Sequence, residues 1–142
     1  MTRRQFIRRT ACVAAGPLIL SASARGANDR IALGVIGTGQ RGTAVMRTFL
    51  RLGGVEVVAV CDVQKDRRET AAAIVHQSRD GATQNGCKAE RDFREILGRD
   101  DVDAVLLAPQ DHWHGVMAVR AAESGKDMYC EKPLGVAVRE CQ

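Results

Sequence analysis

The sequence predicts an α/β protein with a doubly wound, parallel β-sheet, and three observations support this class. Apolar runs of strand length alternate with amphipathic helical segments along the chain. The first run, Ile31–Ile36, leads directly into the pattern Gly37-x-Gly39-x-x-Gly42, and a helical repeat follows. An acidic residue, Asp62, closes the second apolar run 20 residues after Gly42. This order of strand, glycines, helix and acid is typical of a dinucleotide-binding βαβ unit, the core of the Rossmann fold.

The glycine pattern opens the predicted nucleotide-binding loop. Gly37 permits a tight turn after the strand, Gly39 lets the backbone approach a pyrophosphate, and Gly42 lets the following helix pack closely on the strand. The pyrophosphate would bind at the free N–H groups of a helix that begins near Gln40. The predicted cofactor-binding residues of the loop are Gly37, Thr38, Gly39, Gln40, Arg41 and Gly42. A nucleotide-free turn, or the loop of a methyltransferase, is the alternative interpretation.

Asp62 indicates which dinucleotide is bound. A carboxylate at this place accepts hydrogen bonds from both ribose hydroxyls of NAD and repels the 2′-phosphate of NADP. The sequence therefore predicts NAD, with NADP as the second choice. Lys65, Arg67 and Arg68 follow closely and could hold a 2′-phosphate. They are explained more simply as the solvent-exposed side of the next helix.

Helices and strands are then predicted in alternation. The first helix is predicted to bury Val45, Met46, Phe49, Leu50 and Leu52. Strand two covers Val55–Cys61, and the helix over 64–78 is predicted to bury Ala72, Ile74 and Val75. A polar loop over 80–89 follows, with a very short strand at 87–89.

The second half of the chain continues this alternation. Asp92 is predicted to be the N-cap of a short helix, Phe93–Leu97, and a buried strand follows over 103–108. A helix over 114–124 is predicted to turn Val116, Val119 and Ala122 inward and to end at Gly125. The last strand is Asp127–Cys130. We expect ligands to bind in the crevice at the carboxyl ends of these parallel strands.

Residues 1–24 have the pattern of an export signal of the twin-arginine (Tat) type, which predicts a periplasmic protein. Arg3-Arg4 precedes an apolar segment over 11–20 and an Ala22-Ser23-Ala24 cleavage site. The apolar segment is shorter than the roughly 20 residues that span a membrane, so we expect no stable membrane anchor. An uncleaved anchor is the alternative. Residues 25–142 would then form the dinucleotide-binding domain.

Charge and cysteine content narrow the classes of partner and site. Of the 21 basic side chains, four arginines lie in residues 1–24, so the remaining ones balance the 17 acidic side chains. The chain's basic character therefore belongs to the signal, and the domain is expected to bind no nucleic acid. Cys61, Cys87, Cys130 and Cys141 form no C-x-x-C pair, which indicates neither a zinc ribbon nor a redox motif. The pairing of any disulfide stays open.

Three motifs together resemble the Gfo/Idh/MocA family of NAD(P)-dependent oxidoreductases. They are the glycine loop, the run Asp111-His112-Trp113-His114, and Glu131-Lys132-Pro133-Leu134-Gly135, which follows Gly125-Lys126-Asp127-Met128-Tyr129-Cys130. The similarity extends over about 30–142. By this resemblance the chain is expected to bind a nicotinamide dinucleotide. Members of this family also carry Tat signals.

The resemblance assigns roles to several residues. Lys132 would lie beside the nicotinamide, before a cis proline, and help to position substrate or move a proton during hydride transfer. Glu131 would touch the nicotinamide ribose or pair near Lys132, and Trp113 and His114 would form the wall beside the nicotinamide. The alternatives are a surface lysine before a turn, and capping of a helix by Asp111 with local aromatic packing. His112 and His114 lack further ligands in sequence, so no metal site is predicted.

The resemblance also implies what the whole enzyme would do. Family members carry a second α/β domain that binds substrate, and the chain is expected to be a truncated cofactor half without it, with the sheet incomplete at its C-terminal end. In the full enzyme, hydride transfer with a sugar or cyclitol hydroxyl is expected. The alternatives are an NAD-recycling glycosidase of the same family and a non-catalytic nucleotide-binding module. The oligomeric state is open.

Overall fold

The computed structural model describes residues 30–78 and 86–141. The predicted signal over 1–24 and most of the predicted polar loop, residues 80–85, lie outside this part. The strands are β1 (Ile31–Ile36), β2 (Val55–Cys61), β3 (Lys88–Glu90), β4 (Ala104–Leu107) and β5 (Asp127–Cys130). The helices are α1 (Gln40–Phe49), α2 (Lys65–Gln77), α3 (Phe93–Leu97) and α4 (His114–Glu123). Single 3₁₀ turns occur at Asp111–Trp113 and Val138–Cys141.

The five strands form one parallel sheet, which confirms the predicted fold class. Their order is β3-β2-β1-β4-β5, and every neighbouring pair runs parallel. The chain moves outward from β1 in one direction and then crosses to β4 on its other side. In such sheets the crevice at the carboxyl ends of the two strands flanking this reversal is the usual ligand site. The fold thus places the ends of β1 and β4 side by side.

Two apolar clusters, one on each face of the sheet, hold the helices in place. The first joins β1 and β2 to α1 and α2 through Val35, Met46, Val57 and Val75, all fully buried. The second joins the other face of the sheet to α3 and α4 and includes Ile36, Ala59, Ile96, Leu107 and Ala121. Burial of these side chains supplies the main favourable free energy of folding. The loops at the carboxyl edge therefore rest on a rigid scaffold.

Helix α1 is shorter than its apolar repeat suggests. Val45, Met46 and Leu50 are buried as predicted, and Phe49 packs against the same cluster. Leu52 is half exposed, so its predicted burial is wrong. The helix ends at Phe49, and the chain turns through Leu52 into Gly54, whose φ of 84° is left-handed. The turn carries Leu52 away from the buried face.

The inward face predicted for α4 is also wrong. Val116, Val119 and Ala122 are exposed, whereas His114 and Ala121 are buried, and Met117 and Ala118 pack against the core. The buried stripe also has helical spacing, and two of its four side chains are alanines. Small residues let the helix lie close to the sheet. Ala118 and Ala121 thus lie against the core, and the two valines are exposed.

The remaining elements agree with the sequence to within about two residues at their ends. The Asp92 carboxylate accepts a hydrogen bond from the N–H of Arg94, so it is the predicted N-cap of α3. Gly125 follows the last turn of α4 with a φ of 68°, and the N–H of Lys126 donates to Ala121 O, as in a Schellman motif. Strand β3 begins one residue later than predicted. No helix within residues 30–78 and 86–141 has the length and apolarity needed to cross a membrane.

Candidate functional site

A groove with a volume of about 660 Å³ runs along the carboxyl edge of the sheet. Residues that follow β1, β2, β3 and β4 line it, because the carboxyl ends of parallel strands meet at one edge. From the predicted site the lining includes Gly37, Gly39, Gln40, Arg41, Gly42, Asp62 and Trp113. The structure therefore brings the glycine loop, the acid and the aromatic residue together in one cleft, at the place where the sheet order reverses.

The three glycines meet different spatial demands. Gly37 has a φ of 89°, and a Cβ there would collide with the backbone of Ala108. A Cβ on Gly42 would overlap the carbonyl oxygen of Gly37. Among the residues that the structure describes, only the Arg67 side chain, at 3.6 Å, would come near a Cβ on Gly39. Gly37 and Gly42 are therefore required by the protein's own packing, whereas Gly39 leaves a space that a ligand can enter.

The N-terminus of α1 opens into this space. Gly39 is the N-cap, no side chain within the described residues caps it, and the first turn carries no acidic residue. The first N–H groups of a helix have no intrahelical partner, and they carry its positive dipole end. A pyrophosphate accepts hydrogen bonds from these N–H groups, and its negative charge is favoured at the positive end of the helix dipole. The glycine loop therefore fits the phosphates of a dinucleotide.

Asp62 is held firmly at the side of the groove. Its Oδ2 accepts from the N–H of Thr38 at 3.0 Å, and its Oδ1 accepts from the N–H of Gln64 at 2.9 Å. The residue is 9% exposed, and this exposed part faces the groove. A carboxylate has about four acceptor positions, so acceptor capacity remains for a ribose hydroxyl. Thr38 is buried, and its contact with Asp62 ties the loop to the end of β2.

An ion pair links the glycine loop to the segment after β5. Arg41 Nη2 donates to Glu131 Oε1 at 2.8 Å, and the Glu131 side chain is only 6% exposed. The hydrogen bond from Arg41 lowers the pKa of Glu131, and the carboxylate in turn raises the pKa of Arg41. Glu131 therefore stays ionised at neutral pH. The expectation was that Glu131 would touch the nicotinamide ribose or pair near Lys132, and its ion-pair partner is Arg41.

The residues predicted to lie near the nicotinamide, Trp113, Lys132 and His114, have different positions in the structure. Trp113 is 41% exposed and lines the groove. Lys132 is exposed after β5, and the Lys132–Pro133 peptide bond is cis, as the resemblance implied. His114 is 1% exposed, and its ring contacts Pro109 O and Cys130 Sγ. His114 therefore lies beneath the surface and forms no wall of the groove, contrary to the prediction for it.

Several groove residues were not identified from the sequence. Arg67 is exposed, as predicted, but it also lines the groove, together with Arg91, Phe93 and Arg94, which were not assigned to the site. The last three follow β3 directly. Because β3 is parallel to its neighbours, residues after it reach the same edge, and this signal was available from the strand pattern.

The candidate metal ligands and the thiol of Cys61 form no reactive site in the described part of the chain. Among residues 30–78 and 86–141, no three His, Cys, Asp or Glu side chains are grouped as metal ligands, and this includes the pair His112 and His114. Cys61, at the end of β2, is a free thiol, and burial raises its pKa to about 12. It remains protonated at neutral pH and is a poor nucleophile.

A parallel sheet, an uncapped glycine turn and a carboxylate at the end of β2 together define a dinucleotide-binding Rossmann domain. The model of the Gfo/Idh/MocA family, described as an oxidoreductase family with an NAD-binding Rossmann fold, matches residues 31–142. The chain therefore belongs to the Gfo/Idh/MocA family, and it is an NAD-binding domain of that oxidoreductase type.

Curated relatives and solved structures agree with this membership. A glycosyl hydrolase family 109 protein from Shewanella putrefaciens is 38% identical over 114 residues, which cover 80% of this chain and 25% of that protein. One from Saccharopolyspora erythraea is 37% identical over 114 residues, with the same coverage of both proteins. The chain thus spans about a quarter of the length of these relatives.

Among solved structures, the chain is similar to a myo-inositol dehydrogenase from Lactobacillus casei in complex with NAD(H) and myo-inositol. The TM-score is 0.69 at 29% identity, covering 78% of this chain and 31% of that one. A 3-ketoreductase from Actinomadura kijaniata in complex with NADP gives a TM-score of 0.64 at 25% identity, covering 78% of this chain and 33% of that one. Both forms of the dinucleotide thus occur among the neighbours.

Proposed function

We propose that this chain is the cofactor-binding part of an oxidoreductase that transfers hydride between NAD and a hydroxyl of a sugar or cyclitol. The observation that carries the proposal is the groove, in which the glycine loop and Asp62 meet at the carboxyl edge of the sheet. The similarity to a myo-inositol dehydrogenase supports a polyhydroxylated substrate. A further domain, of the kind that the other three quarters of the relatives' length allows, would hold the substrate.

Within this proposal each residue has a physical task. The nicotinamide, when bound, supplies the C4 position that accepts or releases hydride. The N–H groups of α1 bind phosphate, and Asp62 orients the ribose. Trp113 excludes water from one side of the groove. Lys132 holds the substrate hydroxyl or moves its proton, and Glu131, fixed by Arg41, orients the segment that carries Lys132.

The preference for NAD over NADP tests the assignment of Asp62. We expect Asp62→Asn and Asp62→Ala to narrow the affinity gap between NADH and NADPH, since the carboxylate that repels a 2′-phosphate is lost. Asp62→Asn preserves acceptor atoms for Thr38 and Gln64. Asp66→Asn, on the exposed first turn of α2, removes the same charge and serves as the control. Fluorescence titration with NADH and NADPH gives two dissociation constants for each form of the chain, and equal affinities in the wild type would refute the assignment.

An NAD-recycling glycosidase is the second candidate, and the curated glycosyl hydrolase family 109 relatives favour it. Such an enzyme oxidises a sugar and later reduces it again, so bound cofactor is regenerated. In the enzyme that includes the substrate domain, glycoside cleavage without net NADH formation supports the glycosidase. Stoichiometric NADH formation supports the dehydrogenase. Absence of both reactions would leave a non-catalytic nucleotide-binding module.

Export through the Tat pathway is part of the proposal. The supporting feature is Arg3-Arg4 before a short apolar segment and the Ala22-Ser23-Ala24 site. We expect Arg3→Lys/Arg4→Lys to retain a reporter fused after residue 24 in the cytoplasm, whereas Arg8→Lys/Arg9→Lys is exported normally. Fractionation and the size of the processed reporter give the result. Equal export of both double variants would contradict a twin-arginine signal.

A further inference from the structure

Arg67 is a basic side chain of the groove to which the ribose and loop contacts assign no role. Arg67 lies on α2, the helix after Asp62, and it lines the groove together with Gly39 and Gln64. Its Nη1 atom lies 3.6 Å from the position that a Cβ on Gly39 would occupy. The guanidinium therefore reaches across the strand-to-helix turn to the open side of the glycine loop.

The neighbouring basic residues are engaged elsewhere. Lys65 Nζ lies 3.7 Å from Glu69 Oε1, one turn along α2. Arg68 Nη1 donates to the backbone oxygens of Asp62 and Val63 at 3.3 and 3.4 Å. Arg67 takes part in no ion pair or side-chain hydrogen bond with the residues that the structure describes. Its charge is thus available to a ligand. This availability distinguishes Arg67 from Lys65 and Arg68, with which the sequence grouped it.

We propose that Arg67 binds the pyrophosphate of the dinucleotide, together with the N–H groups of α1; this rests on the proposed cofactor role of the groove. Gly39 is the place where the absence of a side chain leaves room for the phosphates. A guanidinium beside that space lies within reach of a phosphate oxygen. Its planar fork of donors matches phosphate geometry and stays charged at every physiological pH.

The alternative ligand for Arg67 is a 2′-phosphate, and the charges in the groove argue against it. Such a phosphate would lie at the ribose, beside the Asp62 carboxylate, which is fixed there by two backbone N–H groups. The negative charges of the phosphate and of the Asp62 carboxylate would repel each other. The Gly39 side of the turn carries no acidic residue in the first turn of α1. The contact at Gly39 therefore favours the phosphates common to NAD and NADP.

Four ligands and four forms of the chain test the proposal. NADH, NADPH, ADP-ribose and adenosine are titrated against the wild type, Arg67→Ala, Arg67→Lys and Lys65→Ala. We expect Arg67→Ala to weaken NADH, NADPH and ADP-ribose by a similar factor, about tenfold or more, as for loss of a charge-assisted hydrogen bond. Adenosine, which has no phosphate, should change little. Arg67→Lys should give an intermediate loss, and Lys65→Ala, with the same charge change outside the groove, should match the wild type.

Any other result would contradict the assignment of Arg67 to the pyrophosphate, and each result would do so in a different way. A loss confined to NADPH would place Arg67 at the 2′-phosphate, and a similar loss for adenosine would place it on the adenine ring. Unchanged affinities would show that Arg67 contacts no ligand. Failure of the wild type to bind ADP-ribose would overturn the proposed cofactor role as well. Because the Arg67 side chain is exposed, Arg67→Ala should unfold at the same urea concentration as the wild type.

Discussion

Gly42→Ala is expected to destabilise the domain by roughly 3 kcal/mol, the upper end of the usual cost of overpacking. The added Cβ would overlap the carbonyl oxygen of Gly37 and approach Ala108 Cβ at 3.3 Å. The first of these is backbone, so no rotation of a side chain relieves the contact. The helix must move away from β1, and the phosphate-binding N–H groups move with it. Urea unfolding at pH 7 measures the change.

Two other glycines make this prediction specific. Gly53→Ala is the control for stability, since a Cβ there meets none of the described residues within 4 Å. Gly39→Ala separates folding from binding, because its Cβ enters the space reserved for the ligand. We expect Gly39→Ala to unfold within about 1 kcal/mol of the wild type, yet to lose most of its affinity for NADH. Equal stability of Gly42→Ala and Gly53→Ala would contradict the packing described for the loop.

Arg41→Ala is expected to weaken NADH binding by about tenfold and to lower stability at neutral pH. The Glu131 carboxylate, which is only 6% exposed in the wild type, would lose its cationic partner. The pair also joins the start of α1 to the segment that carries Lys132, so both ends of the cofactor site lose a mutual restraint. Arg47→Ala, an exposed arginine in the last turn of α1, is the matched control. Arg41→Lys should recover part of the affinity.

The same variant has a predictable dependence on pH. Arg41 lowers the pKa of Glu131 in the folded state. A carboxyl group with a lowered folded pKa contributes stability above its ordinary pKa and loses it as the pH falls through the folded value. The difference in stability between wild type and Arg41→Ala should therefore be largest near pH 7 and shrink below about pH 4.5. A difference that stays constant or grows on acidification would show that the ion pair is not its source.

The phosphate end of the groove could be inferred from the sequence because its requirements are local. A strand, three glycines and a helix start adjoin one another in the chain, and Asp62 follows the next strand at the expected spacing. The structure confirms the fold class and brings these residues to one edge. Strand β1, strand β2 and the N-cap at Asp92 lie where local patterns predict them.

The rest depends on packing between distant segments, which local patterns do not report. The face that α4 buries depends on how the helix packs against the sheet. Ala121 is buried there, and Val119 is exposed. The Arg41–Glu131 pair joins residues 90 positions apart. Arg67 could not be distinguished from Arg68 by charge or spacing, since only the three-dimensional turn shows which of them reaches Gly39.

An NADH titration of the ¹⁵N-labelled chain, followed by NMR, tests most directly whether the groove binds the dinucleotide. We expect the largest amide shifts at Gly39, Gln40 and Gly42, where the phosphates approach the N-terminus of α1, with further shifts at Val63 and Gln64 beside Asp62. Shifts confined to other surfaces, such as the exposed edge strand at Met128 and Tyr129, or no saturable shifts at all, would contradict the assignment of the groove as the dinucleotide site.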